Sequence, residues 1–142
     1  MTISGGSTLG GGGGLYNNGG TLTVNNSAFS HNSAADRGGG ILTTGSSSAL
    51  NINDSLFEGN PAAGTNSFDG GGGIRTNHSI TVRRSTFRNN SYSGNQHGGA
   101  ILATGGTIDI SASLFEGNQG GGNGGGAIAS AVDFSTPDLI IA

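Results

Sequence analysis

The sequence predicts an all-β fold: a single-stranded parallel β-helix, or solenoid, of about five coils, each with roughly 27–30 residues and three short strands. Three observations predict this fold. A phenylalanine recurs at intervals of 28, 30 and 28 residues, an asparagine follows each phenylalanine by three positions, and a Gly-Gly-x-aliphatic unit recurs in phase with both. Repeats of this period are typical of solenoids, because each repeat buries its apolar face only by stacking on its neighbours.

The composition of the 142-residue chain favours one domain in which turns separate short apolar segments. Glycine occurs 31 times and charged residues make up only 9%, whereas disordered chains usually carry high charge. The net charge of −3, with no lysine, predicts no nucleic-acid partner. No apolar run is long enough to span a bilayer, so we expect no membrane span. The lack of cysteine removes disulfides and thiolate metal ligands.

Each coil is predicted to begin at the Gly-Gly-x-aliphatic unit, where paired glycines allow positive φ angles and close backbone approach at a corner. The aliphatic residue is expected to point into the core. These residues are Leu15, Ile41, Ile74, Ile101 and Ile128. The next residue of each strand should point outward, because side chains alternate along a strand. These outward residues are Tyr16, Leu42, Arg75, Leu102 and Ala129.

The second strand of each coil carries an alternating apolar pair, the pattern of a strand with one buried face. The pairs are Leu22 and Val24, Leu50 and Ile52, Ile80 and Val82, and Ile108 and Ile110. Between them lies an outward row formed by Thr23, Asn51, Thr81 and Asp109. A regular outward threonine row would suit ice binding. Asn51 and Asp109 interrupt the row, so ice binding is the less favoured alternative.

The Ser-x-Phe unit is predicted to form the third strand or the corner after it. Stacked parallel coils lie about 4.8 Å apart, so a residue type that recurs once per coil stacks on itself. We therefore expect two structural ladders, an internal aromatic stack and an amide ladder at a turn. Their members are Phe29, Phe57, Phe87 and Phe115, and Asn32, Asn60, Asn90 and Asn118.

Charged residues also fall into columns. Glu58, Arg88 and Glu116 occupy one column with alternating sign, and Asp54 and Arg84 are neighbours in another. We interpret these residues as ion pairs between coils that fix the register, because a slipped register would break the pairs or place like charges together.

No arrangement of residues in the sequence predicts a catalytic, cofactor-binding or metal-binding site. We therefore expect a protein that is not an enzyme and that needs no cofactor. His31, His78 and His97 fall at different positions of the repeat, so they form no column. Their spacing supports no catalytic triad and no metal site.

Polysaccharide-cleaving β-helices need clustered carboxylates, and the eight acidic residues of this chain are spread along it. An active site would have to lie in the variable loops 61–70 and 91–97. Asp69 and Asp109 are the two carboxylates whose substitution would test for one.

Two short motifs resemble those of a known family. Gly-Gly-Ala-Ile at 98–101 and 125–128, and Phe-Glu-Gly-Asn at 57–60 and 115–118, are similar to the repeats of polymorphic outer-membrane proteins and of bacterial right-handed β-helix surface proteins. The resemblance covers 12–128 and implies a right-handed helix in an extracellular or cell-surface region, often adhesive or structural. It implies no catalytic residue.

We expect residues 1–132 to form the repeat domain and 133–142 to form a C-terminal tail that acts as a cap or an assembly segment. The tail breaks the repeat and ends in apolar residues. No cap is evident before the first coil, so we expect the coil ends to pair with a second copy and to form a homo-oligomer or filament. We also expect the chain to be a fragment or a processed form.

Together these features predict a non-enzymatic, secreted β-solenoid at an extracellular or cell-surface location, with a structural or adhesive role and end-to-end assembly. Its expected partners are further copies of itself, surface glycans, and host or cell-surface proteins. The alternative is a carbohydrate-binding or polysaccharide-cleaving β-helix. An enzyme would place unmatched acidic and basic residues on one face, whereas this sequence places its pattern in columns.

Overall fold

The computed structural model describes residues 1–46, 49–66, 69–95, 97–122 and 125–130, and the backbone of Leu139–Ile141. In this part of the chain the protein forms nineteen short β-strands and no helix. Every strand pair is parallel, and each strand lies beside its equivalents in the coils before and after it. The fold is therefore the predicted all-β parallel solenoid.

Four parallel sheets run along the solenoid axis, and the chain visits them in a fixed order. Sheet A contains β1 (Thr2–Ser4), β5 (Ala28–Ser30), β9 (Leu56–Glu58), β13 (Thr86–Arg88) and β17 (Leu114–Glu116). Sheet B contains β2 (Ser7–Thr8), β6 (Ser33–Ala34), β10 (Pro61–Ala62) and β14 (Ser91–Tyr92). Sheet C contains β3 (Leu15–Asn18), β7 (Ile41–Thr44), β11 (Ile74–Thr76), β15 (Ile101–Ala103) and β18 (Ile128–Ser130). Sheet D contains β4 (Thr21–Asn25), β8 (Ala49–Asn53), β12 (Ile80–Arg83), β16 (Ile108–Ser111) and β19 (Leu139–Ile141).

The structure differs from the prediction in two counts. Four turns separate β1 from β17, so the solenoid has about four turns instead of about five. The repeats in the sequence mark the five strands of a sheet, and five strands span four turns. Each coil also has four strands instead of three. The additional strand, in sheet B, has only two residues and little common sequence between coils, so it is hidden in the variable segment after each asparagine.

The core lies between the sheets and is filled by columns of like residues. Ile74 is in register with Ile41 and Ile101 in sheet C, and Leu50 is in register with Ile80 in sheet D. All five side chains are at most 1% exposed. Burial of each such side chain contributes about 1.5–3 kcal/mol relative to exposure to water. The repeat therefore supplies a continuous core from short strands that have no core of their own.

The phenylalanine rings of sheet A stack face to face along the axis. Their centroids are 4.9, 4.7 and 4.8 Å apart, and the ring planes differ by 0°, 5° and 2°. Isolated rings prefer offset or edge-to-face contacts, so the backbone ladder imposes this arrangement. Ile3 takes the equivalent position in the first coil, in register with Phe29. Phe115, in the last coil, is only partly buried.

The asparagine ladder lies at the corner between sheets A and B. The side-chain oxygen of Asn60 accepts hydrogen bonds from the backbone N–H of Asn32 (3.0 Å) and from its amide group (3.1 Å). The amide nitrogen of Asn60 donates to the carbonyl of Phe29 (2.9 Å) and to the side-chain oxygen of Asn90 (2.8 Å). Asn90 makes the equivalent bonds to Phe57 and Asn118. Each buried corner thus obtains its hydrogen-bond partners from the neighbouring coils.

The corner between sheets D and A requires a left-handed backbone at one residue of every coil. These residues, with φ of 47°, 49°, 46° and 49°, are Asn26, Asp54, Arg84 and Ala112. A serine follows in each coil and links it to the next. The N–H of Ser27 donates to Oγ of Ser55 (3.2 Å), and the N–H of Ser55 donates to Oγ of Ser85 (3.1 Å). The serine hydroxyl therefore supplies the hydrogen-bond acceptor for the backbone N–H at the same corner of the preceding coil.

The C-terminal tail contributes one strand to the solenoid. β19 pairs in parallel with β16, and Leu139 is in register with Ile108. The rest of the tail predicted as a cap or assembly segment, 133–138 and 142, lies outside the described residues. Within the described part of the chain, no helix has the length and apolar character that a membrane crossing requires.

Candidate functional site

The outer face of sheet C is covered, which the sequence did not predict. Of the residues expected to face outward, Leu42 is 6% exposed, Arg75 is 5% exposed and Leu102 is 1% exposed. The side chains do point away from the core, but the segments between sheets B and C fold back over them. A Cβ on Gly70 would lie 2.7 Å from Cδ2 of Leu102, so the covering backbone is in direct contact with this face. Tyr16, in the first coil, stays 55% exposed.

Five residues beneath or within this covering form what we call the loop-covered cluster: Asp36, Arg37, Asp69, Arg75 and Tyr92. Asp69 is fully buried. Its Oδ2 accepts a hydrogen bond from the backbone N–H of Asn66 (2.7 Å), and its Oδ1 lies 3.7 Å from Nε of Arg37. The same Nε donates to Oδ2 of Asp36 (3.0 Å). One guanidinium thus lies between two carboxylates that belong to neighbouring coils.

Arg75 supplies the second positive charge of the cluster. The pKa of Arg75 is lowered to about 10, chiefly by burial and then by the nearby charge of Arg37, while Asp69 and Asp36 act in the opposite direction. Arg75 therefore remains protonated at neutral pH despite its burial. Two carboxylates and two guanidinium groups give the cluster a net charge near zero, so the buried charges of Asp69 and Arg75 are balanced by opposite charges nearby.

Tyr92 closes the cluster from the side of sheet B. Its ring packs with Ala34 and Ala62, and its hydroxyl donates to the carbonyl of Gly64. The pKa of Tyr92 is raised to about 12, chiefly by burial and in smaller part by the negative charges of Asp69 and Asp36. The phenol is therefore a neutral donor at every physiological pH. Its role is to tie the segment that contains Gly64 to the solenoid wall.

The cluster is suited to holding loops and poorly suited to acid–base catalysis. Each carboxylate has a cationic neighbour, and the tyrosine proton is held by a carbonyl. A general base needs a carboxylate within hydrogen-bond reach of a substrate, whereas Asp69 is fully buried. The sequence left room for an active site in the loops 61–70 and 91–97. Both begin with a strand of sheet B, Pro61–Ala62 and Ser91–Tyr92, and Gly64 and Asp69 take part in the contacts of the cluster. Residues 67–68 and 96 lie outside the described residues.

Ion pairs between coils line the outside of sheets A and D. Arg84 contacts Asp54 through two bonds of 2.7 and 2.8 Å, and Arg88 contacts Glu58 at 2.8 Å. These pairs confirm the predicted charge columns. Hydrogen bonding to Arg84 lowers the pKa of Asp54. Because every partner comes from an adjacent coil, these contacts are lost if the register changes.

A further pair, Arg83 with Asp109, was not predicted. Asp109 is in register with Thr81, and Arg83 is in register with Ser111, so the two charges lie in neighbouring columns and meet on a diagonal. Hydrogen bonding to Arg83 lowers the pKa of Asp109. Asp69 and Asp109, the two carboxylates whose substitution would test for an active site, therefore lie in different surroundings. Asp69 is buried in the cluster, and Asp109 lies on the outer face of sheet D.

A shallow groove of about 690 Å³ runs beside the Arg84–Asp54 pair. Ala28, Leu56 and Thr86 form part of it, and Arg88 lines it as well. The groove crosses successive strands of sheet A, so it follows the solenoid axis. Its apolar and ionic lining can contact an elongated ligand.

The three histidines stay apart, as their positions in the repeat predicted. The ring of His31 lies beside Gly59, a ring nitrogen of His78 contacts the carbonyl of Gly45, and His97 forms a bridge with Gly70. Among the residues with described positions, no group of three or more His, Asp or Glu side chains could hold a metal ion.

The sequence contains a signal for the loop-covered cluster, namely charged residues next to the glycine runs. Asp36-Arg37 and Asp69 each directly precede a glycine run in adjacent repeats. A charge that recurs next to the glycine corner places opposite charges near one another in successive coils. Reading the charges by their distance from the glycines, in addition to their distance from the phenylalanines, would have brought Asp69 and Arg37 together.

In comparisons with protein-family models, curated proteins and solved structures, nothing matches this chain. The likeness of its motifs to polymorphic outer-membrane-protein repeats therefore stays a prediction from the repeat residues.

Proposed function

We propose that this chain is a non-enzymatic structural or adhesive solenoid of an extracellular or cell-surface protein. One observation carries the proposal: the recurrent polar residues are engaged in contacts between coils. Asparagine and serine ladders bond one coil to the next, and three arginines pair with acids of an adjacent coil. Contacts of this kind make the solenoid stiff along its axis. A stiff rod suits a protein that extends away from the surface to which it is attached.

The location and the bacterial origin come from the motif resemblance. Phe-Glu-Gly-Asn at 57–60 and 115–118 lies at the corner where the asparagine ladder forms, so the motif has a structural reason in this fold. Proteins with similar repeats are secreted right-handed β-helices of bacterial surfaces. Surface glycans and host or cell-surface proteins are the ligands that such a lateral surface would meet.

Adhesion is tested with beads coated with the purified chain. We expect the coated beads to bind to cultured epithelial cells or to bacterial cells more than beads coated with the variant Leu56→Glu, Thr86→Glu. That variant fills the floor of the groove with charge while the core columns stay unchanged. A matched control, Thr23→Glu, adds charge to the outside of sheet D. Equal retention of all three proteins on cells and on bare surfaces would contradict an adhesive role.

Carbohydrate binding is the second candidate, and the groove favours it. A cleft that follows the axis, with Leu56 and Thr86 on its lining, can accept an extended sugar chain. A glycan array, followed by cleavage assays on polygalacturonate and alginate with dextran as the neutral control, separates binding from turnover. We expect no turnover. Cleavage that disappears in Asp69→Asn or Asp109→Asn would overturn the non-enzymatic proposal.

Ice binding has less support. The outward row of sheet D places Thr23, Asn51, Thr81 and Asp109 in register. Asn51 and Asp109 interrupt the threonines, and Asp109 forms an ion pair with Arg83, so the row is not a regular threonine array. Thermal hysteresis measured on the purified chain should be absent.

A further inference from the structure

The outer face of sheet A carries two rows of opposite charge on neighbouring coils. One row holds two acids, Asp54 at the corner before β9 and Glu58 within β9. The next row holds two arginines, Arg84 and Arg88, at the equivalent positions around β13. β9 lies between β5 and β13, and β13 lies between β9 and β17. The charges are therefore on a lateral surface formed by inner coils, and neither end of the solenoid contributes to it.

This lateral surface is accessible to a partner. Leu56 and Thr86, which are in register, lie between the two ion pairs and line the shallow groove described above. An arginine has five N–H donors, so one that already meets a carboxylate can bond to a second one. We call these six residues the ion-pair face. The exposed fractions of its charged side chains are 38, 60, 29 and 45% for Asp54, Arg84, Glu58 and Arg88.

The charge pattern of the ion-pair face is complementary to itself in one arrangement. A two-fold axis parallel to the strands, midway between β9 and β13, turns a second copy over so that β9 of each copy lies opposite β13 of the other. Each facing pair then occurs twice, because in a two-fold contact residue i meets residue j and j meets i. The facing pairs are Asp54 with Arg84, Glu58 with Arg88, and Leu56 with Thr86.

We propose that the ion-pair face binds the same face of a second copy, which gives a lateral dimer with antiparallel solenoid axes. This inference names a partner for the structural role proposed above and rests on that role. Within one copy, Arg84 joins Asp54 and Arg88 joins Glu58. In the dimer each pair lies against its own reversed copy, so two acids and two arginines alternate in each of two groups of four charges.

Other arrangements of this face are opposed by its charges. If the two axes were parallel, β9 would lie opposite β9, and acids would meet acids. A polymer of uniform charge that lay along the axis would cross the acidic row and the arginine row in turn, so one of the rows would repel it. The flanking strands add no like charges to the proposed dimer, because Ser30 of β5 lies opposite Glu116 of β17.

The contact area predicts a transient dimer. Four strands about 4.8 Å apart, each with about five residues including the corner, cover about 300 Å² per copy. A stable interface buries about 800 Å² per partner. The dimer should therefore form where copies are crowded, and copies attached close together on one surface meet at a high effective concentration. Lateral pairing of this kind would hold neighbouring rods side by side.

Exchanging the two charged rows tests the arrangement. In the variant Asp54→Arg, Glu58→Arg, Arg84→Asp, Arg88→Glu, each new residue is the one that already occupies the equivalent position in the neighbouring coil. The ion pairs within the chain keep their geometry with reversed sign, so circular dichroism should be unchanged. This variant should associate with itself as the parent does. In a mixture with the parent, acids would face acids and arginines would face arginines.

Sedimentation velocity of a trace of fluorescently labelled parent, with a large excess of unlabelled protein, measures both contacts. We expect the labelled parent to associate with unlabelled parent at least about tenfold more tightly than with the exchanged variant. Raising the salt from about 0.1 M to about 1 M shortens the Debye length from about 10 Å to about 3 Å, so self-association should weaken. Association that does not change with salt would contradict charge pairing.

The matched control is Arg83→Asp, Asp109→Arg, which exchanges an ion pair on sheet D and should associate with the parent as the parent does. Equal association of the parent with the row-exchanged variant, or a parent that stays monomeric, overturns the proposal. A monomeric parent that sediments with polygalacturonate would assign the face to an acidic glycan instead. Lost adhesion to cells with intact self-association counts against the proposed function, whereas missing self-association with intact adhesion counts against this inference alone.

Discussion

The inside of the solenoid and the loop-covered cluster on sheet C are both buried, yet they are built on opposite plans. Inside, the coils that follow the first repeat one solution: Phe57 stacks on Phe29 and Phe87, and Asn60 bonds to its equivalents. In the cluster, each coil contributes something different. One coil supplies Asp36 and Arg37, and the next supplies Asp69 and Arg75.

The difference shows that a repeat protein uses two kinds of contact. Identical residues stabilise the core in every coil, and different residues in each coil form local features. Like residues stack because the same side chain satisfies the same neighbour in every coil. Charges cannot stack on themselves, since two like charges in one column repel, so a buried cluster of charges needs complementary residues in adjacent coils. The repeated interior should therefore fail globally when it is damaged, and the cluster should fail locally.

The largest expected effect comes from the centre of the aromatic stack. Phe87→Ala removes a fully buried ring that touches two other rings, and we expect a loss of about 3–5 kcal/mol in the free energy of unfolding. Phe115→Ala, in the partly exposed last position, should cost less. Urea denaturation followed by circular dichroism measures both. Equal losses would mean that the stack does not act as a continuous column.

The asparagine ladder should come next. Asn60→Asp keeps the shape but replaces the amide donor that faces the carbonyl of Phe29 and the side-chain oxygen of Asn90. We expect a loss of roughly 2–4 kcal/mol at pH 7, because buried acceptors then face one another. This environment raises the pKa of the new carboxyl. The sign follows: stability is regained as the pH falls through that raised pKa and is lost again as the pH rises.

Denaturation of Asn60→Asp at pH 4 and pH 7 checks the sign. Asn118→Asp, at the end of the described ladder, is the matched control and should be affected less. A larger loss at pH 4 than at pH 7 would show that the acceptor contacts do not determine the cost.

The cluster should give an intermediate and local effect. Asp69→Asn leaves two guanidinium groups with one carboxylate, and we expect a loss of about 1–3 kcal/mol. Hydrogen exchange should increase in 63–66 and 93–95 while the strands of sheets A and D stay protected. The double variant Asp69→Asn, Arg37→Gln restores the charge balance and should recover part of the loss. Faster exchange throughout the core would show that the cluster and the core are one cooperative unit.

The smallest expected effect on stability comes from Tyr92→Phe, which costs about 1 kcal/mol for one hydroxyl hydrogen bond. Its clearest signature is spectroscopic. The folded pKa of Tyr92 is raised to about 12, so its contribution is complete below pH 10 and decreases as the pH rises toward 12. Arg75, whose pKa is lowered to about 10, has the opposite sign in the same window.

An ultraviolet titration of the parent protein should therefore contain a phenolate component near pH 12 that is missing in Tyr92→Phe. A component that titrates near pH 10 and disappears in the variant would show that the phenol is not buried in solution.

The repeated part of the molecule could be predicted from the sequence, and the individual part could not. The columns of Phe57, Asn60 and Ile74 were legible because identical residues recur at one spacing. Sheet B escaped detection because its inner column runs Thr8, Ala34, Ala62 and Tyr92, in which only the two alanines match. The burial of Arg75 depends on how far each loop folds back, and loop paths follow from contacts between different coils, which periodicity does not encode.

The corners with left-handed residues at Asn26, Asp54 and Arg84 also have a consequence for evolution. Each coil meets its neighbours through one common cross-section, so recombination that duplicates or deletes a whole coil leaves matched surfaces on both sides of the junction. Rod length can then change in steps of one repeat without a redesigned interior. The segments between sheets B and C are free to diverge in each copy, and a new sequence can be acquired there while the rod is preserved.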